Sequence, residues 1–269
     1  MNPIKLISNL VTNSTSKFWI DNTITIFKSI NSIYYLIYST ENKDIVSYNI
    51  INNEKINEIR NAHKKKITNF RHYLDKLYSR DLILSISSED NNLKIWDNKN
   101  LECLIEIEDI YEHGYFYSSY LLNENNKIYI ITSNCNWSDN KMKNPIKVFD
   151  FLGNKIKEIN NSNDIIFLVD IYYDNKLANN YIIAGCSKFI KSYYFTKNEL
   201  YHKYYDKKIN EEEINDHYRI IINKEELIKM IESSCDGNIR IWDFHSGLLL
   251  QKIFIKKEWI KGICLLKND

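Results

Sequence analysis

Glycine and proline are the first shortages: 6 Gly and 2 Pro in 269 residues, about a third of the glycine that an average usage of ~7% supplies. Turns must therefore draw on other residues. The chain is rich in Asn, Ile, Lys and Tyr, and Asn and Asp tolerate the left-handed backbone that turns need. A genome poor in G and C produces the same bias, so the Asn content carries no function by itself. Charge of one sign is also missing. The formal net charge is +1, far from the strong positive balance that phosphate backbones select. The one basic run, Lys64-Lys65-Lys66, reads as a solvated loop, and no nucleic-acid partner is expected. No apolar run reaches the 18 residues of a membrane span. The stretch Leu6–Val11 is too short and too interrupted for a signal sequence. The five cysteines, Cys103, Cys135, Cys186, Cys235 and Cys264, are scattered without zinc-site spacing. An odd, unspaced set points to free thiols in a reducing, intracellular compartment, cytoplasmic or nuclear. Three formal glycosylation triplets, at Asn13, Asn136 and Asn160, arise by chance in so Asn-rich a chain. Hydrophobic residues make up 44% of the whole, enough for a packed core.

Against these absences stands an internal repeat. Ser87-Ser88-Glu89-Asp90-Asn91-Asn92-Leu93-Lys94-Ile95-Trp96-Asp97 aligns without a gap on Ser233-Ser234-Cys235-Asp236-Gly237-Asn238-Ile239-Arg240-Ile241-Trp242-Asp243. Weaker copies place Tyr48, Phe149 and Tyr193 at the Trp position, and Cys186 at the position of Cys235. Successive copies are 48, 53, 44 and 49 residues apart. Each repeat holds short runs of strand character. In the second they are Ile67–Phe70, Leu82–Ser87, Leu93–Trp96 and Cys103–Ile107; in the last, Arg219–Ile222, Ile228–Ser233, Ile239–Trp242 and Leu249–Ile255. Alternation on the third run sends Leu93 and Ile95 to one face and Lys94 and Trp96 to the other. Asp236-Gly237 closes a tight turn before that run, and Ser246-Gly247 and Leu152-Gly153 a turn after it. Between 211 and 230, Glu and Lys richness also suits a short helix.

The two Trp-Asp pairs make this chain resemble the WD40 repeat family, from about Thr23 to the C-terminus. Its repeats are slightly longer than the about 40–45 residues of a WD40 blade. The resemblance implies a single all-β domain over residues 1–269. Its architecture would be a β-propeller of four-stranded blades, with five blades recognisable. Trp259–Leu266 reads as the first strand of a sixth blade, and Lys5–Val11 as the outer strand of a closing one. The ring would then be an incomplete six- or seven-bladed one, with open edges that favour pairing with other chains. The resemblance further implies a hydrogen-bonded set in each strong blade, joining a His, a Ser, an Asp and the Trp. The matching residues are His63, Ser88, Asp90 and Trp96, and His217, Ser234, Asp236 and Trp242. His113 is the candidate in the third repeat, where Phe149 has no hydrogen to donate.

No catalytic or metal-binding signature accompanies the repeat. None of the six His sits in a His-x-x-x-His, Gly-x-Ser-x-Gly or P-loop context. The acidic run Glu211-Glu212-Glu213 reads as a solvated loop. No enzyme activity, cofactor or metal is expected. Two long loops, 134–144 with Trp137 and 204–215, suit a partner-binding rim, although Trp137 equally well covers an apolar edge. The expected function is a non-catalytic scaffold whose surface loops bind a protein or peptide. The alternative is a propeller enzyme or small-molecule binder with a site in a central funnel.

Overall fold

The structure is a computed structural model. It describes residues 24–111, 115–135, 144–160, 165–187, 189–206, 217–223, 228–234, 236–257, 260 and 263. The N-terminal strand Lys5–Val11, His113, Trp137, the acidic run and nearly all of Trp259–Leu266 lie outside them. Among the described residues there are twenty β-strands, no helix, and nothing long and apolar enough to cross a membrane as a helix.

The strands form five four-stranded antiparallel sheets, each a simple meander in chain order. The first holds β1 (Ile24–Lys28) to β4 (Glu54–Ile59), with β2 (Tyr34–Ser39) and β3 (Ile45–Asn49) between them. The second holds β5 (Asn69–Asp75), β6 (Arg80–Ser87), β7 (Asn92–Asp97) and β8 (Glu102–Ile107). The third runs β9 (Tyr115–Glu124), β10 (Lys127–Cys135), β11 (Ile146–Asp150) and β12 (Lys155–Ile159). The fourth runs β13 (Ile166–Asp174), β14 (Asn179–Cys186), β15 (Ile190–Tyr194) and β16 (Leu200–Tyr204). The fifth runs β17 (His217–Asn223), β18 (Lys229–Ser234), β19 (Asn238–Asp243) and β20 (Leu249–Phe254). Tyr48, Trp96, Phe149, Tyr193 and Trp242 all stand on the third strand of their sheet, at or next to its last residue. The helix left open between 211 and 230 is replaced by strand at His217–Asn223. The first strand of the second sheet begins two residues later than the apolar run Ile67–Phe70 suggests.

The turns explain how a chain with so little glycine closes twenty strands. Between the third and fourth strand of every sheet one residue takes positive φ: Asn53, Leu101, Gly153, Asn198 and Gly247. Among the described residues, half of the twelve non-glycine residues with positive φ are Asn, the residue type that adopts this conformation at low cost. The last residue of the third strand caps the same turn. Asn49, Asp97, Asp150 and Asp243 each accept a backbone N–H from two or three residues on, as from Lys99 to Asp97 at 2.8 Å. That is the physical task of the Asp in the Trp-Asp pair.

The chain divides into two compact units. One comprises Met1–Tyr117, Asn125–Tyr129 and Phe149–Lys155; the other comprises Ser118–Glu124, Ile130–Val148 and Ile156–Asp269. The first and second sheets belong to the former, the fourth and fifth to the latter. Each unit has its own core with the same grammar. Call the face that carries the third-strand aromatic the front of a sheet. In the first unit the back of sheet one (Phe27, Ile37, Ile45) packs on the front of sheet two (Phe70, Ile83, Trp96). In the second unit the back of sheet four (Tyr172, Tyr181, Ile183) packs on the front of sheet five (Met230, Trp242). The period-two alternation of a strand thus gives each sheet two distinct faces, and within each unit the back of one sheet is buried against the front of the next.

Candidate functional site

The hydrogen-bonded set of the second sheet exists, with one member exchanged. The Trp96 indole donates to Ser85 Oγ at 2.8 Å, and His63 Nε2 meets the same hydroxyl at 2.7 Å. Ser88, the serine matched from the sequence, bonds Thr68 instead. The reason is alternation. Ser85 pairs with Lys94 and so lies on the face of Trp96, diagonal to the indole. Ser88 lies one residue past the end of the strand. The Ser85 hydroxyl can accept from the indole and from Nε2 alike, and His63 Nδ1 is buried without a hydrogen-bond partner among the described residues. Burial, with the Lys94 charge adding to it, lowers the His63 pKa from 6.5 to about 4, so the ring is neutral. Asp90 accepts the backbone N–H of Lys65 at 3.1 Å. On the strand of Trp96, Asn92 donates its amide to Glu106 at 2.9 Å, and Glu106 pairs with Lys94 at 3.0 Å.

The fifth sheet carries charges in the equivalent places. Register puts Glu232 opposite Arg240, as Ser85 stands opposite Lys94. Arg240 is fully buried and donates to Asp206 at 3.0 Å, to Glu232 at 3.1 Å and to Asp236; Lys252 reaches the same Asp206 oxygen at 2.8 Å. Burial works against the guanidinium's charge, yet the carboxylates raise its pKa above the ordinary value. For Asp236 burial pushes upward, and Arg240 with Asn238 pulls it below the carboxylate range. Asp236 therefore serves an ion network rather than a His–Ser–Trp chain. Ser234 is buried beside Gly237, and Trp242 Nε1 has no hydrogen-bond partner among the described residues. The backbone of His217 pairs with Ser234; its side chain lies outside the described residues.

One relay of titratable groups stands out in the second unit. His245 Nε2 lies 3.0 Å from Asp174 Oδ2, and its Nδ1 lies 2.8 Å from the Tyr201 hydroxyl. Asp174 also caps its own hairpin through the N–H groups of Lys176 and Leu177. Asp75 does the same at the equivalent turn of the second sheet, where Arg80 takes the place of His245. The Tyr201 phenol is shifted upward, by burial first and then by Tyr194, the wrong direction for a nucleophile or base at neutral pH. The relay is a turn anchor.

The feature with a surface chemistry of its own lies in the first unit, at the end of the sheets where strands one and two, and three and four, are joined. Asp75 is fully buried; its two oxygens take the Arg80 Nε at 2.9 Å and the Tyr78 N–H at 3.4 Å. The Arg80 guanidinium lies near two rings, 5.0 Å from the centroid of Tyr78 and 5.6 Å from that of Phe151. Beyond it Leu152 is 85% exposed, Tyr78 67% and Leu77 53%. Ile30, Tyr34 and Ile51, at the same end of the first sheet, are exposed as well. Gly153, at φ +85, seats this tip on Ile107, 3.5 Å from where a Cβ would stand. Neither the Arg80 stack nor this row was legible as a site. The sequence shows Leu77-Tyr78 and Phe151-Leu152 far apart, and their one shared mark is a place beside a turn.

No family model and no curated protein matches the chain. Solved structures do. The crystal structure of the computationally designed Ika8 protein superposes with a TM-score of 0.64 at 14% identity, over 91% of this chain and 66% of that one. The crystal structure of Chaetomium thermophilum Raptor superposes with a TM-score of 0.65 at 13% identity, over 91% of this chain and 21% of that one. The chain thus spans just under two thirds of the first protein and about a fifth of the second. At these identities the likeness is one of fold.

Proposed function

We propose that the chain is a run of WD40-type β-propeller blades that works inside the cell as a non-catalytic interaction scaffold, binding a protein or peptide at its hairpin tips. Five meander sheets, an aromatic on each third strand, and the turn-capping Asp after Trp96 and Trp242 support the propeller reading. The observation that carries the binding reading is the Tyr78–Arg80–Phe151–Leu152 surface. Aromatic residues and Arg dominate the energetics of protein interfaces, and an Arg80 already held by the buried Asp75 beside Tyr78 loses little freedom on binding. The funnel-site alternative has the Tyr201–His245–Asp174 relay as its nearest support, and the raised Tyr201 pKa weighs against it. The deciding experiment is affinity capture with mass spectrometry, wild type against Tyr78→Ala and Leu152→Ser. Partners recovered by the wild type and lost from both variants, at equal thermal stability, support the proposal. Partners retained by both variants overturn this surface as the binding site.

A further inference from the structure

Where the first hairpin of the second sheet meets the Phe151 loop, a cation keeps part of its donor set unused. Register pairs Asp75 with Arg80 across that hairpin. Asp75 is fully buried and takes the arginine through Nε alone, at 2.9 Å. The two Nη groups of Arg80 have no acceptor among the described residues, yet they are not buried, so they meet solvent. The side chain as a whole is 25% exposed, beside the rings of Tyr78 and Phe151. The turn itself does not require this arginine. At the equivalent hairpin of the fourth sheet, Asp174 caps the turn in the same way while Asn179 stands in the place of Arg80. The carboxylates next to Arg80 in the chain and in the adjoining loops are already engaged. Asp81 takes the Ile30 N–H and His72 Nε2. Asp150 takes the N–H groups of Leu152 and Asn154. Asp97 takes the Lys99 N–H, and Glu102 the Asn100 amide.

Resting on the reading of this surface as one that binds a peptide, we propose that Arg80 sets its specificity. Its Nη groups receive the carboxylate of an Asp or Glu side chain of the partner, and an apolar side chain next to that acid seats on Tyr78 and Leu152. A guanidinium offers paired N–H groups in a fixed fork, which a carboxylate meets bidentately. Asp75 orients the fork before any partner arrives, so little rotamer freedom is lost on binding. Charge selects a carboxylate over a phosphate. In the hairpin 75–80, Lys76 and Arg80 stand against Asp75 alone, which leaves one positive charge over. One carboxylate offsets it, whereas a phosphate monoester, at about −1.5 to −2 near neutral pH, exceeds it. Lys76 is exposed and adds its attraction across solvent.

Panning a random peptide display library on the full chain, followed by fluorescence polarisation of the selected peptides, tests it. The selected peptides are expected to carry an Asp or Glu beside an aliphatic or aromatic residue. Replacing that acid by its amide is expected to weaken binding to the wild type about tenfold or more, the worth of one charge-assisted contact. The same replacement is expected to change binding by less than about twofold in the double variant Asp75→Asn/Arg80→Gln, which removes the cation together with its buried partner and strands no charge. Arg80→Lys is the second variant. It keeps a charge opposite Asp75 but presents no fork, and most of the discrimination between acid and amide is expected to go. Thermal melts establish that each variant is folded. Peptides that bind through Tyr78 and Leu152 yet tolerate the amide without loss overturn the role of Arg80 and leave the recognition surface standing. Tighter binding when phosphoserine replaces the acid also overturns the carboxylate assignment. A library that yields no peptide, or only peptides whose binding survives both Tyr78→Ala and Leu152→Ser, overturns the surface itself and the role of Arg80 with it.

Discussion

Trp96, Ser85 and His63 share one hydroxyl, and the consequences of removing each differ. Trp96→Ala empties a buried aromatic site and is expected to cost about 3–5 kcal/mol. Asp97→Ala removes a turn cap at a half-exposed position and is expected to cost about 1 kcal/mol. Ser85→Ala strands both the indole N–H and the imidazole and is expected to cost more than Ser88→Ala, by about 1–3 kcal/mol. Thermal and denaturant melts of the four proteins give the ranking, and equal losses at Ser85 and Ser88 would remove Ser85 from the set. His63 adds a pH signature. Its folded pKa of about 4 lies below the ordinary 6.5, so the unfolded chain binds the proton first. The penalty is absent above pH 6.5, grows as pH falls toward 4, and amounts to about 3 kcal/mol at most, by the linkage of pKa to stability. Asp236 acts in a different window: its lowered pKa means stability lost only as pH falls below the ordinary carboxylate range. His63→Gln is therefore expected to flatten the stability profile between pH 6.5 and 4 while leaving the more acidic loss in place. An unchanged slope in that window would show that His63 titrates normally.

At the scale of the element, turns and sheet faces obey separate rules. Ala178, in the hairpin between β13 and β14, holds φ +48 with an exposed side chain. A residue with a Cβ loses about 1–2 kcal/mol there, so Ala178→Gly is expected to raise stability by about 1 kcal/mol after the entropy that glycine loses on folding. A lower melting temperature for this variant would contradict the strain. Leu101 holds the same kind of conformation but is buried in the core of the first unit, so glycine there exchanges strain for lost packing. The fifth sheet shows the converse of the hydroxyl-linked second. Arg240→Met leaves Asp206, Glu232 and Asp236 without their shared guanidinium, and a loss of about 3–5 kcal/mol is expected from breaking a buried ionic set on one side. A near-neutral Arg240→Met in a denaturant titration would mean that the carboxylates take up protons at little cost.

For the whole molecule, the surface that stands out is the set of hairpin tips in the first unit, which present Tyr78, Arg80 and Leu152 and suit recognition. Tyr78 is 67% exposed, so Tyr78→Ala is expected to alter partner capture while changing stability by no more than about 0.5 kcal/mol. A large drop in the melting temperature of this variant would place the ring in the packing of the unit instead.

The Trp-Asp copies, their common phase and the alternation on Leu93-Lys94-Ile95-Trp96 were enough to place all five third strands, because period-two patterning is local. Asp236-Gly237, Ser246-Gly247 and Leu152-Gly153 marked turns because a Gly at positive φ is a local event too; all three glycines adopt it. Which serine meets Trp96 was not legible. Counting along the chain aligns the turns, whereas the hydroxyl is chosen by cross-strand register, and that put Ser85 rather than Ser88 on the indole. The exchange of a hydroxyl for Glu232 and the gathering of Asp206, Asp236 and Lys252 around Arg240 were decided only in three dimensions. Asp206 lies 34 residues from Arg240, and no local pattern joins them. The Tyr78–Arg80–Phe151 stack belongs to the same class. Sequence determines which faces of a strand are apolar; only packing decides which of those faces are covered, and what charge or ring is brought to the rim.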